Sequence, residues 1–233
     1  MSEIVGGLLF ENSGRCSNPK DLGLRYASYL RNHGVQFVQD KVRALSSTPN
    51  GQVEVRGEHG AVCYAQAVVC SGYWSSELMR PFFRNIPLVS ERGYHLMLPS
   101  PGVILRRPVV FGEQYFVATP MNEGLRLAGT AEFARWDSPP NWRRADMLLT
   151  LAQKYLRHVN GTQAKPWMGI RPSLPDGLPA IGTVPDAPGI HYAFGHSHNG
   201  LTLSAVTAQC VSALVQRSAP PVSVAPMALE RFN

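Results

Sequence analysis

Two stretches of the sequence hold residue types at spacings that could do chemistry. Gly195-His196-Ser197-His198-Asn199-Gly200 stands between an apolar run, Ile190-His191-Tyr192-Ala193-Phe194, and a helical pattern through Leu203, Val206, Val211 and Leu214. A strand–turn–helix connection of this kind aims helix N-terminal N–H groups, with partial positive charge, at whatever lies above the sheet. An ordinary connecting loop would have the same spacing. The second stretch, Trp167-Met168-Gly169-Ile170-Arg171-Pro172 followed by Ser173 to Gly182, sets Arg171 between an apolar run and a proline-braced turn. A fixed, poorly hydrated guanidinium suits a carboxylate, which its planar fork binds through two parallel hydrogen bonds. The plainer alternative is a surface turn whose arginine pairs with Asp176.

Other chemistries lack their residues. His191, His196 and His198 include a His-x-His pair, but no third ligand is evident beyond the weak candidate Asp186, and H-E-x-x-H is absent; no metal site is expected. Neither G-x-G-x-x-G, a Walker loop nor the G-x-S-x-G of a nucleophile elbow occurs. Cys16, Cys63, Cys70 and Cys210 form no C-x-x-C and read as reduced structural cysteines of a cytoplasmic protein. The excess of 22 Lys+Arg over 16 Asp+Glu is mostly arginine and scattered, without the clustered face that nucleic acid requires, so no nucleic-acid partner is expected.

The elements that must position these residues can be read from periodicity. With 233 residues, 44% of them hydrophobic, the chain can bury a substantial core. No apolar run approaches the ~18 residues of a membrane span, and Met1-Ser2-Glu3-Ile4-Val5-Gly6-Gly7 has no charged n-region followed by an apolar h-region, so no secretory signal is expected. Asn18-Pro19 reads as a cap and first turn of a helix ending near Gly34, with Leu22, Tyr26, Tyr29 and Leu30 on one face. Val35 to Val38 reads as a short strand, Gln52 to Arg56 and Ala61 to Tyr64 as a hairpin, and Ala67 to Cys70 as a buried strand delivering Ser71-Gly72 to a crevice. From Pro87 to Gly129 the pattern is a mostly antiparallel sheet, with strands at 94–98, 103–107, 115–119 and 125–129. A helix comes next, from Asp146 to Val159, and after Arg217 an extended tail. The fold class is mixed α/β.

In combination these stretches are more specific. Trp167 to Pro172, Pro175-Asp176-Gly177-Leu178-Pro179, Ile181-Gly182 and Tyr192 to Ser204 resemble the FAD-dependent amino-acid oxidase superfamily, and bacterial D-amino acid dehydrogenases most closely. Gly6-Gly7, Asn18-Pro19, Val42, Val68 to Ser75, Glu91 to Leu96 and Glu230-Arg231-Phe232 fit the same order. The resemblance implies FAD as cofactor, an amino acid as substrate, and oxygen or a quinone as electron acceptor. Family members begin with a βαβ unit holding G-x-G-x-x-G. This chain is expected to correspond to the C-terminal half to two-thirds of such an enzyme, truncated before an N-terminal flavin-binding unit, and to self-associate without it.

Carried over by resemblance, Arg171 pairs with the substrate carboxylate. His198, Asn199, Gly200, Leu201 and Thr202 form the turn over the flavin's pyrimidine edge. Val42 lies beside the adenine, Gly72 near the pyrophosphate, and Tyr94 and His95 line the substrate pocket or are plain sheet residues. The implied domains are a flavin-binding remnant, 16–85 with 167–233, and a substrate domain with a mostly antiparallel sheet, 1–15 with 86–166. The implied reaction oxidises a D-amino acid or related amine by hydride transfer to flavin, giving an imino acid and then a keto acid and ammonia. Alternatives are the same chemistry on glycine, sarcosine, hydroxyproline or an opine, and a non-catalytic fragment or subunit needing a separate flavin-binding chain. The location is cytoplasmic, or peripheral to the inner membrane where a quinone is reduced.

Overall fold

The computed structural model describes Ile4–Phe232; the three N-terminal residues read for a leader, and Asn233, lie outside the described residues. Two compact units are formed. One comprises the residues up to Phe37, Arg92–Glu132 and Asp137–Gly169; the other comprises Val38–Glu91, Phe133–Trp136 and the chain from Ile170 onward. Residues 16–37 fall in the first unit. Helix α1 (Pro19–Asn32) begins as its sequence dictates: Asn18 is extended, its side chain accepts the Asp21 N–H at 3.0 Å, and Pro19 occupies the first turn. Gly34, at φ 82°, ends it. Tyr26 and Tyr29 on its apolar face remain 63% and 59% exposed.

In the second unit β1 (Ala44–Ser47), β2 (Val53–Gly57) and β3 (Gly60–Tyr64) form an antiparallel sheet in that order. β4 (Ala67–Val69) and the short α2 (Ser75–Met79) come next. The segment 35–38 is irregular, because no neighbouring strand takes up its backbone groups.

A five-stranded sheet runs in the order β6 (Val109–Phe111), β7 (Phe116–Met121), β8 (Gly124–Phe133), β5 (Val89–Leu98), β9 (Lys165–Ser173). β5 and β9 each pass from one unit into the other along their length. In the first unit Tyr94, Leu96, Leu98, Phe116, Leu125 and Leu127 pack on Ala145, Leu148 and Ala152 of α3 (Arg143–Tyr155), so one sheet face is closed by this helix. Burying side chains of this kind contributes ~1.5–3 kcal/mol each. The expected strand at 103–107 is instead an irregular connection. α3 starts earlier and stops sooner than its periodicity suggests, because Leu156 is extended and His158 takes a φ of 64°.

The second unit is completed by β10 (Ala180–Val184), β11 (Ala187–Phe194) and α4 (Gly200–Val215). β10 is antiparallel to β11, and β4 is parallel to β11 with Tyr192 opposite Val69. Ile181, Ala193 and Cys210 bury the contact of this sheet with α4. Beyond Arg217 the chain is not an extended tail: Leu229 is fully buried and donates its N–H to Tyr192 Oη at 3.0 Å. Arg231 closes the end by pairing with Asp176 at 2.7 Å. Among the described residues no helix is long and apolar enough to cross a membrane.

Candidate active site

Because β4 and β11 run parallel, their C-terminal ends leave the sheet on the same side. That is where α/β sheets bind ligands. β4 delivers Gly72, at φ 59°, to the first turn; β11 delivers Gly195, at φ 79°, to the second. A Cβ at Gly195 would lie 2.6 Å from Leu174 Cδ1, so the tight turn requires glycine there on both conformational and steric grounds. The turn then bends through Ser197, a non-glycine residue held at φ 50°, and enters α4 at Gly200. Asn199 makes no side-chain cap, and a single 3-10 turn, Ser197–Asn199, leads directly into the first turn of α4. His198, Asn199, Leu201 and Thr202 are exposed. This end of the helix suits the electron-rich edge of a bound ring or an anion. Val42 lies exposed just ahead of β1 in the same unit.

Arg171 meets this turn through its strand. Ser173, two residues on along β9, forms an antiparallel bridge with His196. Arg171 does not pair with Asp176, which is taken by Arg231. Its Nη1 instead donates to Glu91 Oε1 at 2.9 Å. Glu91 Oε2 accepts from Ser173 Oγ at 2.8 Å, and Ser197 Oγ lies 3.0 Å from Ser173 Oγ and 3.4 Å from that same Oε2. Burial alone would raise the Glu91 carboxyl, but the Ser173 hydrogen bond, the charge and hydrogen bond of Arg171 and the Ser197 hydroxyl outweigh it and hold it below the usual carboxylate range. Sequence reasoning did not single out Glu91. Its partners lie 80 or more residues away along the chain, and no local pattern marks it.

Tyr94 and His95 are neighbours on β5 and therefore point to opposite faces. Tyr94 is 1% exposed under α3; its hydroxyl donates to Glu132 at 2.5 Å and accepts the Asn141 N–H at 3.0 Å. It is a core residue of the first unit. His95, on the other face, stacks on Trp167 with ring centroids 4.8 Å apart. Burial, with the Arg126 charge behind it, lowers its pKa from an ordinary 6.5 to about 4. His191 and His196 are lowered too, both by burial first and His191 also by Arg217. Between these values the unfolded chain binds protons that the folded chain refuses. The contribution of His95 to stability is therefore full above pH 6.5 and is lost as the pH falls toward about 4. Urea denaturation at stepped pH is expected to show that fall, with a shallower slope in His95→Asn. Equal slopes would mean that His95 titrates normally.

A cleft of about 870 Å³ belongs to the first unit, between the segment from Ile4 to Arg15 and that from Arg106 to Gln114. None of Val42, Gly72, Glu91, Tyr94, His95, Arg171 and the residues of the 195–202 turn lines it. No group of three metal-ligating side chains occurs among the described residues.

Comparison with known proteins matches this arrangement to a family. The family described as "DAO: FAD dependent oxidoreductase" covers residues 1–214. A D-amino-acid oxidase of Bradyrhizobium diazoefficiens is 37% identical over 97% of this chain and 55% of its own length. A D-amino acid dehydrogenase of Vibrio atlanticus is 30% identical over 99% of the chain and 56% of its own length. The crystal structure of a glycine oxidase from Geobacillus kaustophilus superposes with a TM-score of 0.77 at 26% identity, covering 90% of this chain and 57% of that one. The chain thus spans a little over half the length of the relatives it matches, with the mixed α/β fold and antiparallel sheets expected of it. It belongs to the DAO family of FAD-dependent oxidoreductases.

Proposed function

We propose that this chain carries the substrate-carboxylate site and the flavin-edge turn of an enzyme that oxidises a D-amino acid, or a related amine such as glycine. The observation that carries the reading is the convergence of Arg171, through Ser173, on the Gly195–Gly200 turn at the C-terminal edge of a parallel strand pair. A flavin, when bound, supplies the acceptor for the hydride leaving the substrate Cα. Arg171 fixes the carboxylate and thereby the direction of the Cα–H bond, which is positioning of the kind that contributes most to such rates. The N-terminus of α4, with His198, Asn199, Gly200, Leu201 and Thr202, would hold the electron-rich edge of the cofactor. Val42 and Gly72 would serve its adenine and pyrophosphate portions. The second unit carries both the flavin-edge turn and Arg171, and the electrons pass on to oxygen or a quinone.

The test is an anaerobic visible spectrum of the chain, flavin-loaded together with a co-expressed βαβ polypeptide bearing G-x-G-x-x-G, titrated with D-alanine, glycine, sarcosine and L-alanine. Bleaching by D-alanine or glycine, with L-alanine inert, is the expected result. Bleaching by none of the four would end the assignment.

A second reading, a subunit that works with a separately supplied flavin-binding unit, is favoured by one specific feature. β4 is the edge strand of its sheet, Val68 on it is 40% exposed, and no strand among the described residues pairs with its outer edge.

A further inference from the structure

We propose that Glu91 recognises the substrate's α-ammonium group, so that Arg171 and Glu91 together read an amino acid as a zwitterion; this rests on the reading of Arg171 as the carboxylate site.

Without substrate the two side chains satisfy each other, Nη1 to Oε1 at 2.9 Å, and each stays within reach of solvent, at 30% and 17% exposure. Any carboxylate that takes Arg171 must displace Glu91 Oε1 from it. The cost of that displacement depends on the rest of the ligand. A zwitterion brings an ammonium one carbon away from its carboxylate. Its carboxylate replaces Glu91 on Arg171, and its ammonium replaces Arg171 on Glu91. Every charge remains paired, and the exchange costs little. A simple carboxylate leaves Glu91 Oε1 without a partner and beside a second negative charge; a simple amine leaves Arg171 in the corresponding position. The pair therefore rejects half-ligands by the repulsion and unpaired groups they create.

Glu91 is built to survive the exchange. Its two oxygens have separate partners, and Oε2 keeps Ser173 and Ser197 when Oε1 is given up. Ser197 is brought there by a backbone φ of 50°, which a non-glycine residue adopts only where its surroundings hold it. The carboxyl lies below its ordinary range and stays ionised at neutral pH, which suits a counter-ion and makes it a poor proton acceptor. Its role is to bind and orient the amino group.

The experiment is calorimetric titration of the chain, loaded with FAD in complex with a co-expressed βαβ polypeptide bearing G-x-G-x-x-G, with D-alanine and with propionate, the flavin kept reduced so that no turnover occurs. In the wild type D-alanine is expected to bind at least about tenfold more tightly than propionate. Glu91→Gln is expected to weaken D-alanine by about tenfold or more while propionate binds as well as before or better, since its competitor for Arg171 has gone. Parallel shifts of the two ligands, or an unaltered D-alanine affinity, would overturn the role of Glu91. Should Glu91→Gln lose its native circular dichroism, the wild-type preference decides alone, and equal affinities overturn the proposal. Arg171→Met separates the two claims. Loss of both ligands in Arg171→Met, with D-alanine unaffected in Glu91→Gln, removes Glu91 only. Propionate binding retained in Arg171→Met, or no binding of either ligand by the wild type, removes the carboxylate site and Glu91 with it.

Discussion

Replacing Arg171 by alanine is expected to lower kcat/KM for the amino acid roughly 10²–10³-fold, nearly all of it in KM, with flavin content unchanged. A hydrogen bond to a charged group is worth about 1.5–3 kcal/mol, and a guanidinium offers a carboxylate two of them in parallel. Each 1.4 kcal/mol is tenfold in affinity, so a fully buried clamp would predict a larger loss. Two features of this site reduce it. The side chain is 30% exposed, and in the resting protein it already holds Glu91, so the substrate's gain is a difference between two carboxylates. The alanine variant also leaves Glu91 with only its serine partners, which keeps that carboxylate charged and adds repulsion to the lost attraction. Arg171→Lys keeps the charge and loses the fork, and should recover part of the deficit. Steady-state kinetics beside the absorbance ratio of protein to flavin measures both quantities. Flavin loss at constant KM would place Arg171 on the cofactor instead.

The sequence made legible what local chemistry determines. Asn18, Pro19 and Gly34 set both ends of α1 by capping and backbone conformation alone, and the hairpin of β2 and β3 announces itself by alternation around Gly60. The passage from β11 through Gly195 into α4 is legible for the same reason. Residues 35–38 and 103–107 have strand-like composition yet stay irregular, because a strand exists only where a neighbour takes its N–H and C=O groups, and no residue's own type supplies that neighbour. The choice among charged partners is equally non-local. Asp176 stands five residues from Arg171 and goes to Arg231, while Arg171 goes to Glu91 on another strand. Tyr94 and His95 show a limit of a different kind: adjacency on a strand guarantees opposite faces, and only the position of α3 decides which of the two is buried.

The largest all-or-none effect expected of this chain concerns flavin retention. After incubation with FAD and desalting, the 233 residues alone should hold little flavin, and a co-expressed βαβ polypeptide bearing G-x-G-x-x-G should restore a retained yellow spectrum. The turns at Gly72 and at Gly195–Gly200 offer the cofactor a helix end and exposed side chains, but no glycine-rich loop that brings several backbone N–H groups onto a pyrophosphate. Interactions of that type are worth about 1 kcal/mol or more apiece, so three or four of them amount to roughly a thousandfold in affinity. The structure also offers the added unit a place. A parallel strand can join β4 on its open edge, where it covers Val68 and removes an edge that would otherwise invite pairing between copies of this chain. Sedimentation should accordingly show self-association of the chain alone that disappears as the βαβ polypeptide binds. A chain that kept its flavin unaided would show that the two turns at the strand ends suffice, and a βαβ polypeptide that restored flavin without changing the sedimentation would have bound somewhere other than β4.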